Sequence, residues 1–181
     1  MVLHLHPERS FKGGAIYQSW QQFSDADYYA FVDADGAVSA DELMRMLNCA
    51  NDSKNLDMSF VAVRHFSGLL AVDRSLLRKA TFHFFRALVH VIVGLKWMDT
   101  QCGAKVISGR SYRAVSEHLV EDGFVFDVEL LATLQQGAWP NTELPIMWQE
   151  IPGSKLRLWR DLWFMTRGLL RIRRHLNTFD L

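Results

Sequence analysis

The chain has 181 residues, of which 49% are hydrophobic, and its 20 basic and 20 acidic residues give a formal net charge of zero. This length and apolar content suit one domain with a sizeable core, so we expect residues 1–181 to form a single domain. A neutral chain lacks the positive footprint that nucleic-acid binding requires, and two cysteines argue against a disulfide framework or a cysteine zinc site.

Segments with helical and strand-like patterns alternate along the sequence. We predict these elements in chain order: a helix over 15–23, a strand over 28–32, a helix capped by Ser39 and running through Leu47, a strand over 60–63, a helix over 74–98, a strand over 104–107, a helix over 112–119, a helix over 124–134, a strand over 144–148 and a basic amphipathic helix over 155–175. Such alternation predicts an α/β fold with a mostly parallel sheet. No stretch contains the roughly 20 apolar residues of a transmembrane helix.

Two carboxylates follow the first predicted strand. Asp33 and Asp35 flank Ala34 and precede Gly36. In open α/β sheets, ligands bind beyond the carboxyl ends of strands, and carboxylates there are well placed to hold a metal. The Asp-x-Asp triplet is a weak signal by itself, and the preceding strand strengthens it.

A calcium-binding reading of the same segment is the main competitor. Residues 33–42 place acidic, glycine and hydroxyl side chains at several positions of an EF-hand loop. Position 1 of that loop, however, is Phe31, and the preceding residues favour a strand over an entering helix. We therefore rank calcium binding below the first interpretation.

Further polar groups stand in apolar or glycine-rich surroundings. Asp99, Gln101 and Gly103 form a compact turn, in which glycine permits close approach of the backbone to a ligand. Asp127 and Glu129 lie in an otherwise apolar helix, where a carboxylate must be paired, metal-bound or shifted in pKa. A buried ion pair with an arginine and a role in a site both remain open for these two acids.

Together these segments resemble the dolichyl-phosphate β-glucosyltransferase group of the family-two glycosyltransferases. The resemblance rests on four segments in order: Phe31-Val-Asp-Ala-Asp-Gly36, Asp99-Thr-Gln-Cys-Gly-Ala-Lys105, Phe126-Asp-Val-Glu-Leu-Leu131 and Pro145-Ile-Met-Trp-Gln-Glu-Ile-Pro-Gly-Ser-Lys-Leu156. It implies a GT-A fold and the inverting transfer of a hexose from a nucleotide sugar such as UDP-glucose to a polyprenyl or dolichyl phosphate. It also implies Mg²⁺ or Mn²⁺ as a cofactor.

The resemblance assigns roles to individual residues. Asp35 is expected to bind the metal ion, and Asp33 to bind the ribose or complete the metal shell. Catalytic roles near the sugar and acceptor fall to Asp99, Gln101 and Glu129. The remaining expectations concern phosphate and nucleotide contacts: Lys12 beside the nucleotide, and Arg64 and Arg78 on the acceptor phosphate.

Family members also carry two earlier strands, ending in Tyr-Asn-Glu-like and Asp-Gly-Ser-like motifs, that grip the base and ribose. This sequence begins after them, so we expect an N-terminally incomplete GT-A domain. Tyr17 and Ser19 replace the usual Arg and Gly after the Lys-Gly segment. An inactive homologue that serves as a membrane-docking or binding subunit is the alternative function.

The last predicted helix, over 155–175, is expected to lie in a membrane interface on the cytoplasmic face of a bacterial inner membrane or the endoplasmic reticulum. Five arginines fall along one side, while Leu162, Leu169 and Ile172 with neighbouring tryptophans favour the other. Tryptophans beside a cationic face suit the headgroup boundary. Packing of the apolar side on the sheet, with arginines in water, is the alternative.

Overall fold

The structure is a computed structural model and describes residues 11–65, 76–149 and 158–181. Six α-helices and four strands lie within these residues. Their bounds in chain order are α1 Lys12–Gln21, β1 Tyr28–Val32, α2 Ala40–Asp52, β2 Ser59–His65, α3 Leu76–Val93, β3 Ala104–Ser108, α4 Gly109–Val115, α5 Phe126–Gln136, β4 Asn141–Met147 and α6 Leu158–Leu176, with a 3₁₀ turn at Ser116–His118 after α4.

The four strands form one mixed sheet in the order β1-β3-β2-β4. Strand β3 is antiparallel to both β1 and β2, whereas β2 and β4 are parallel. Three strands therefore run in one direction, and β3 is inserted against them. The expected α/β sheet is confirmed, but two of the three pairings in the described residues are antiparallel, because β3 enters the sheet from the edge at which its neighbours end.

Helices cover both faces of the sheet. On one face, the even-numbered residues Phe60, Ala62 and Val106 pack with Met46 of α2. On the other face, Val61 and Ile107 pack into two clusters formed mainly by α1, α3, α5 and α6. The period-2 alternation of strand side chains thus separates the two layers of core.

Most predicted elements are present, and their ends differ for identifiable reasons. Ser39 caps α2 by accepting a hydrogen bond from the Glu42 amide, as predicted, and the helix continues beyond Leu47 to Asp52. Helix α1 starts at Lys12, before the predicted start, and its Gly13 packs so closely on α5 that an added Cβ would lie 2.5 Å from Cβ of Phe126. Helix α3 ends at Val93 because Gly94 adopts a φ of +86°.

The calcium-loop interpretation is not supported by the fold. The residues before Asp33 form strand β1, and residues 34–36 form a turn that leads to α2. An EF-hand requires a helix on each side of its loop. The first of these helices is replaced by a strand that pairs along its length with β3.

Helix α6 packs its apolar side on the domain. Leu169 and Ile172 are buried in the cluster that includes Val89 of α3 and Val128 of α5. The domain itself therefore covers these two side chains, and the interfacial position of the helix stays a prediction that rests on its other residues. Residues 155–157 lie outside the described residues. In the part of the chain that the structure describes, no helix is both long and apolar enough to cross a bilayer.

Candidate functional site

One edge of the sheet gathers residues that lie in or next to all four strands, most of them polar. Asp33 directly follows β1, Arg64 lies near the end of β2 and Trp148 directly follows β4. Residues 99–103 lead into β3, and because β3 runs antiparallel its beginning lies at the same edge. This edge therefore brings together segments that are far apart in sequence.

Asp33 is paired with Lys12 at the start of α1. Nζ of Lys12 lies 2.8 Å from Oδ1 of Asp33, and the two side chains are 26% and 35% exposed. The Asp33 amide donates to the carbonyl of Gly103 at 2.8 Å. An added Cβ at Gly103 would collide with the Asp33 carboxylate, so glycine is required there. Asp33 is thus held in position at the surface, with Lys12 beside it.

Asp35 is exposed and shapes the turn after Asp33. Its Oδ1 accepts a hydrogen bond from the Ala37 amide at 2.9 Å, and Gly36 adopts a φ of +79°. An Asp side chain that bonds the backbone two residues on is typical of a tight turn. This arrangement leaves Oδ2 of Asp35 beside solvent.

Asp127 and Lys105 form a buried pair behind Lys12. Nζ of Lys105 lies 2.5 Å from Oδ1 of Asp127, and the two side chains are 0% and 1% exposed. The same ammonium donates to the carbonyls of Thr100 and Cys102, so its three protons are all used. Burial raises the pKa of Asp127, and the charges of Lys105 and Lys12 partly oppose this rise. Lys105 thereby ties α5 to the turn before β3.

Asp99 and Arg64 form a second, bidentate pair. Nε and Nη2 of Arg64 lie 2.5 and 2.8 Å from the two oxygens of Asp99, which is 2% exposed. The guanidinium also lies over the rings of Phe82 and Trp148. Burial alone would lower the pKa of Arg64, but hydrogen bonding to Asp99 and its charge raise it above the ordinary value. Asp99 is therefore a neutralised, immobilised carboxylate.

Gln101 lies at the tip of the turn. Its amide donates to Oδ1 of Asp99 at 3.2 Å, and its side-chain Nε2 is buried without a hydrogen-bond partner in the described structure. A buried donor without a partner is costly and is typical of sites completed by a ligand. Burial raises the pKa of the neighbouring Cys102 to about 11, so that thiol stays neutral.

Glu129 does not join these residues. It lies two positions beyond Asp127 on α5, and about 100° of helical rotation per residue turns it to another side. Its Oε2 accepts from the amides of Val120 and Glu121 at 3.0 and 2.8 Å, whereas Oε1 has no partner in the described structure. Burial raises the pKa of Glu129 to about 7, and the two amides partly oppose this rise. A cavity of about 200 Å³ adjoins it, beside Arg171 of α6.

The site thus contains Asp127, for which the sequence left open an ion pair with an arginine or a role in a site, and Lys105, which sequence reasoning did not single out and which proves to be the partner. A lysine within the apolar run of β3 was the available signal, because an unpaired buried ammonium is too costly to retain. Of the predicted residues, the structure brings Lys12, Asp33 and Asp35 to one end of the edge and Arg64, Asp99 and Gln101 to its centre. The side chain of Arg78 lies outside the described residues.

The carboxylates at this edge suit a divalent ion that a phosphate ligand also holds. Mg²⁺ usually takes one or two carboxylates, with water and substrate phosphates completing its octahedral shell. Asp35 has an oxygen that its turn does not use, and Lys12 engages Oδ1 of Asp33. No group of three or more His, Cys, Asp or Glu side chains converges among the described residues. An ion completed by phosphate fits these residues better than one held in a cage of protein ligands.

Comparison with known proteins gives a consistent set of relatives. A dolichyl-phosphate β-glucosyltransferase of Saccharomyces cerevisiae is 30% identical in an alignment 172 residues long, which covers 90% of this chain and 51% of the relative. Proteins of the same name from Dictyostelium discoideum and Homo sapiens are 30% and 29% identical, each over 90% of this chain and over 50% and 51% of their own length.

No family model and no solved structure matches the chain. The chain spans about half the length of the curated relatives it matches. The matched half includes all four segments on which the resemblance rests, and the structure has the expected α/β architecture. In sequence, the chain is similar over about nine tenths of its length to dolichyl-phosphate β-glucosyltransferases from several organisms.

Proposed function

We propose that this chain carries the acceptor-side and metal-binding part of a glycosyltransferase that moves a hexose, glucose in the first instance, from a nucleotide sugar to a polyprenyl phosphate. The observation that carries the proposal is the convergence of Lys12, Asp33, Asp35, Asp99 and Arg64 at one sheet edge, in a chain whose relatives are named for this reaction. Each of these residues has a chemical task that the reaction requires.

The acceptor phosphate needs positive charge more than it needs a base. A phosphate monoester has a second pKa of about 6 and is largely dianionic at neutral pH. Asp99 is already bound to Arg64 and to the Gln101 amide, which suits it to positioning and not to proton transfer. Arg64 and the unpartnered Nε2 of Gln101 supply donors that orient two approaching anions.

The leaving group is a nucleoside diphosphate, which gains charge as the anomeric carbon–oxygen bond breaks. Lys12, at the start of α1, lies on the exposed side of the cluster, where its ammonium can contact that diphosphate. Asp35 and Asp33 would hold Mg²⁺ or Mn²⁺, which when bound supplies Lewis-acid stabilisation of the same charge. Attack on the opposite side of the anomeric carbon gives inversion, from an α-linked donor to a β-linked product.

A lipid-linked acceptor requires contact with a membrane, and α6 carries the surface we assign to it. Trp163 and Phe164 are 60% and 61% exposed, and the guanidinium of Arg167 lies over the Trp163 ring. Arg171 and Arg174 are also exposed. Exposed aromatic rings beside arginines suit the headgroup region of an anionic bilayer, at about 1 kcal/mol for each basic residue. These features support our proposal that α6 docks on a membrane surface.

Transfer to extractable lipid tests the proposed function. The chain is incubated with UDP-[¹⁴C]glucose, dolichyl phosphate in vesicles and Mn²⁺, and the organic phase is counted, with the yeast relative as a positive control. We expect transfer that chelation of Mn²⁺ abolishes and that Asp35→Asn lowers at least about 100-fold, by analogy with loss of other electrostatic stabilisers. Absence of transfer where the yeast relative is active would contradict an enzymatic role for this chain.

Vesicle co-sedimentation tests the membrane surface separately. Replacing both Trp163 and Phe164 by alanine should release the protein from vesicles rich in anionic lipid. The matched control is Met44→Ala, since Met44 is 53% exposed on α2, which packs on the opposite face of the sheet. Equal binding by the double variant and the unmodified protein would show that α6 is not the contact.

A further inference from the structure

Lys12 is held differently from the other cations at the sheet edge. Among the described residues, its Nζ has one close ion-pair contact, 2.8 Å to Asp33, while Asp127 is 3.8 Å away, beyond hydrogen-bond distance. The rings of Phe31 and Phe126 lie 5.2 and 5.4 Å from the ammonium. A quarter of the side chain is exposed.

Lys105 and Arg64 offer the contrast. Lys105 is fully buried, and its ammonium donates all three protons, to Asp127 and to two carbonyls. Movement of Lys105 would leave these three buried acceptors without their donor. Arg64 is fixed by two hydrogen bonds to Asp99. On moving, Lys12 gives up its close ion pair with Asp33, a longer one with Asp127 and its contacts with the two rings, but it has no hydrogen bond to a backbone carbonyl in the described structure. Its four-carbon stem gives the ammonium several ångströms of reach. Lys12 is therefore the cation of this edge that is best able to move.

The ammonium of Lys12 lies against the Asp33 carboxylate, where a metal ion bound by Asp33 would also lie. Asp33 has one of its oxygens engaged by the ammonium. A divalent cation bound by Asp33 and Asp35 would place two positive charges beside a third, and repulsion between them opposes binding. Addition of a diphosphate reverses this balance, because its oxygens bind the ion and offer the ammonium a new partner.

We propose that Lys12 is the counter-ion of Asp33 before ligands bind. When the divalent ion and the donor bind, the ammonium of Lys12 leaves the Asp33 carboxylate, which then binds the ion, and moves to the diphosphate of the donor. The inference rests on the proposed function, since it needs a nucleoside diphosphate and a divalent ion at this edge. Its consequence is ordered coupling: the ion binds weakly alone and tightly with the nucleotide, and each ligand strengthens the other by the same factor. Lys12 weakens binding of the divalent ion alone and strengthens binding of the ion together with the nucleotide.

Binding of Mn²⁺, followed by the loss of its free-ion electron paramagnetic resonance signal with and without UDP, tests the inference without any turnover. In Lys12→Met, whose side chain can still pack on Phe31 and Phe126, we expect the affinity for Mn²⁺ alone to rise about fivefold, the upper end of what one partly exposed ion pair contributes. The strengthening of Mn²⁺ binding by UDP should fall by at least the same factor. Lys54→Met removes an exposed lysine on the loop before β2 and serves as control.

Two further variants separate the possible outcomes. Asp35→Asn should abolish the Mn²⁺ site and so identify it, while Lys12→Arg should keep Mn²⁺ binding as weak as in the unmodified chain because the positive charge is retained. If the unmodified chain binds Mn²⁺ with UDP but Lys12→Met gains no affinity for Mn²⁺ alone, the counter-ion role is wrong and the proposed function stands. If neither chain binds Mn²⁺ even with UDP, the metal-dependent function fails, and the inference fails with it.

Discussion

Two buried carboxylates on the first turn of α5 have opposite electrostatic surroundings. Asp127 faces the sheet edge, where Lys105 and Lys12 supply positive charge. Glu129 faces the cavity beside α6, where it receives two backbone amides, lies near the carboxylate of Glu121 and leaves one oxygen without a partner in the described structure.

The difference shows that burial alone does not identify a functional carboxylate. The positive charges of Lys105 and Lys12 hold Asp127 in place beside the exposed site, and this does not require a ligand. Glu129 instead binds the backbone amides of the loop before α5, and among the described residues no cation lies close enough to balance its charge fully when it is ionised at high pH. We therefore expect the effect on stability to decrease from removal of Lys105, the partner of Asp127, through removal of the Glu129 charge, to removal of the exposed Arg171 charge.

The largest effect is expected from Lys105→Met. This change leaves Asp127 buried beside only the more distant Lys12 and removes the donor to the carbonyls of Thr100 and Cys102. Loss of one member of a buried pair costs about 3–5 kcal/mol, so the free energy of unfolding should fall by that amount in urea titrations. Lys54→Met, at an exposed position, should change it by less than about 0.5 kcal/mol.

A double variant sharpens this test. Replacing Lys105 by Met and Asp127 by Leu together removes both charges, and such paired replacement is often nearly neutral. Recovery of most of the lost stability would show that the unpaired carboxylate, and not lost packing, causes the effect. A single variant within about 1 kcal/mol of the unmodified protein would argue that Asp127 is neutralised by other means.

An intermediate, pH-dependent effect is expected from Glu129→Gln. The pKa of Glu129 is about 7 in the folded protein against an ordinary value of 4.5, so the folded state holds its proton more tightly than the unfolded state. Stability contributed by this proton is full below pH 4.5 and is lost as pH rises through 7, by up to about 3 kcal/mol. The glutamine variant lacks this loss, and its melting temperature should exceed that of the unmodified protein at pH 8 but not at pH 5.

The pH dependence itself provides the check. Near-parallel melting profiles of the two proteins between pH 5 and pH 8 would mean that the cavity hydrates Glu129 well enough to restore its ordinary pKa. The glutamine side chain of the variant keeps an oxygen that can accept from the amides of Val120 and Glu121, so the loop should remain in place.

The smallest effect is expected from Arg171→Ala. Arg171 binds the buried Glu121 carboxylate at 2.7 Å, but its own side chain is 68% exposed. Solvent screening limits such pairs to about 1 kcal/mol or less, and the loss should shrink further in high salt. Arg173→Ala, on the same helix and exposed, is the matched control. A loss above about 2 kcal/mol would indicate that the pair anchors α6.

Local patterns determined much of the fold. The strand at 28–32, the cap at Ser39 and the strand beginning at Ala104 were predictable because they depend on side-chain period and on hydrogen bonds between residues close in sequence. The grouping of Asp33 and Asp35 at a strand end followed from the same rules, since an open sheet exposes its strand ends.

Other features depend on contacts between distant segments, which no local pattern contains. Packing of α5 on β3 decides that Asp127, and not Glu129, faces Lys105. Insertion of β3 between β1 and β2 brings the turn with Asp99 against Arg64, and docking of α6 on α3 buries Leu169 and Ile172 while leaving Trp163 exposed. The sequence by itself determined which residues are unusual for their surroundings, and only the tertiary structure decided their partners, because pairing of buried charges is set by the relative positions of elements that are distant along the chain.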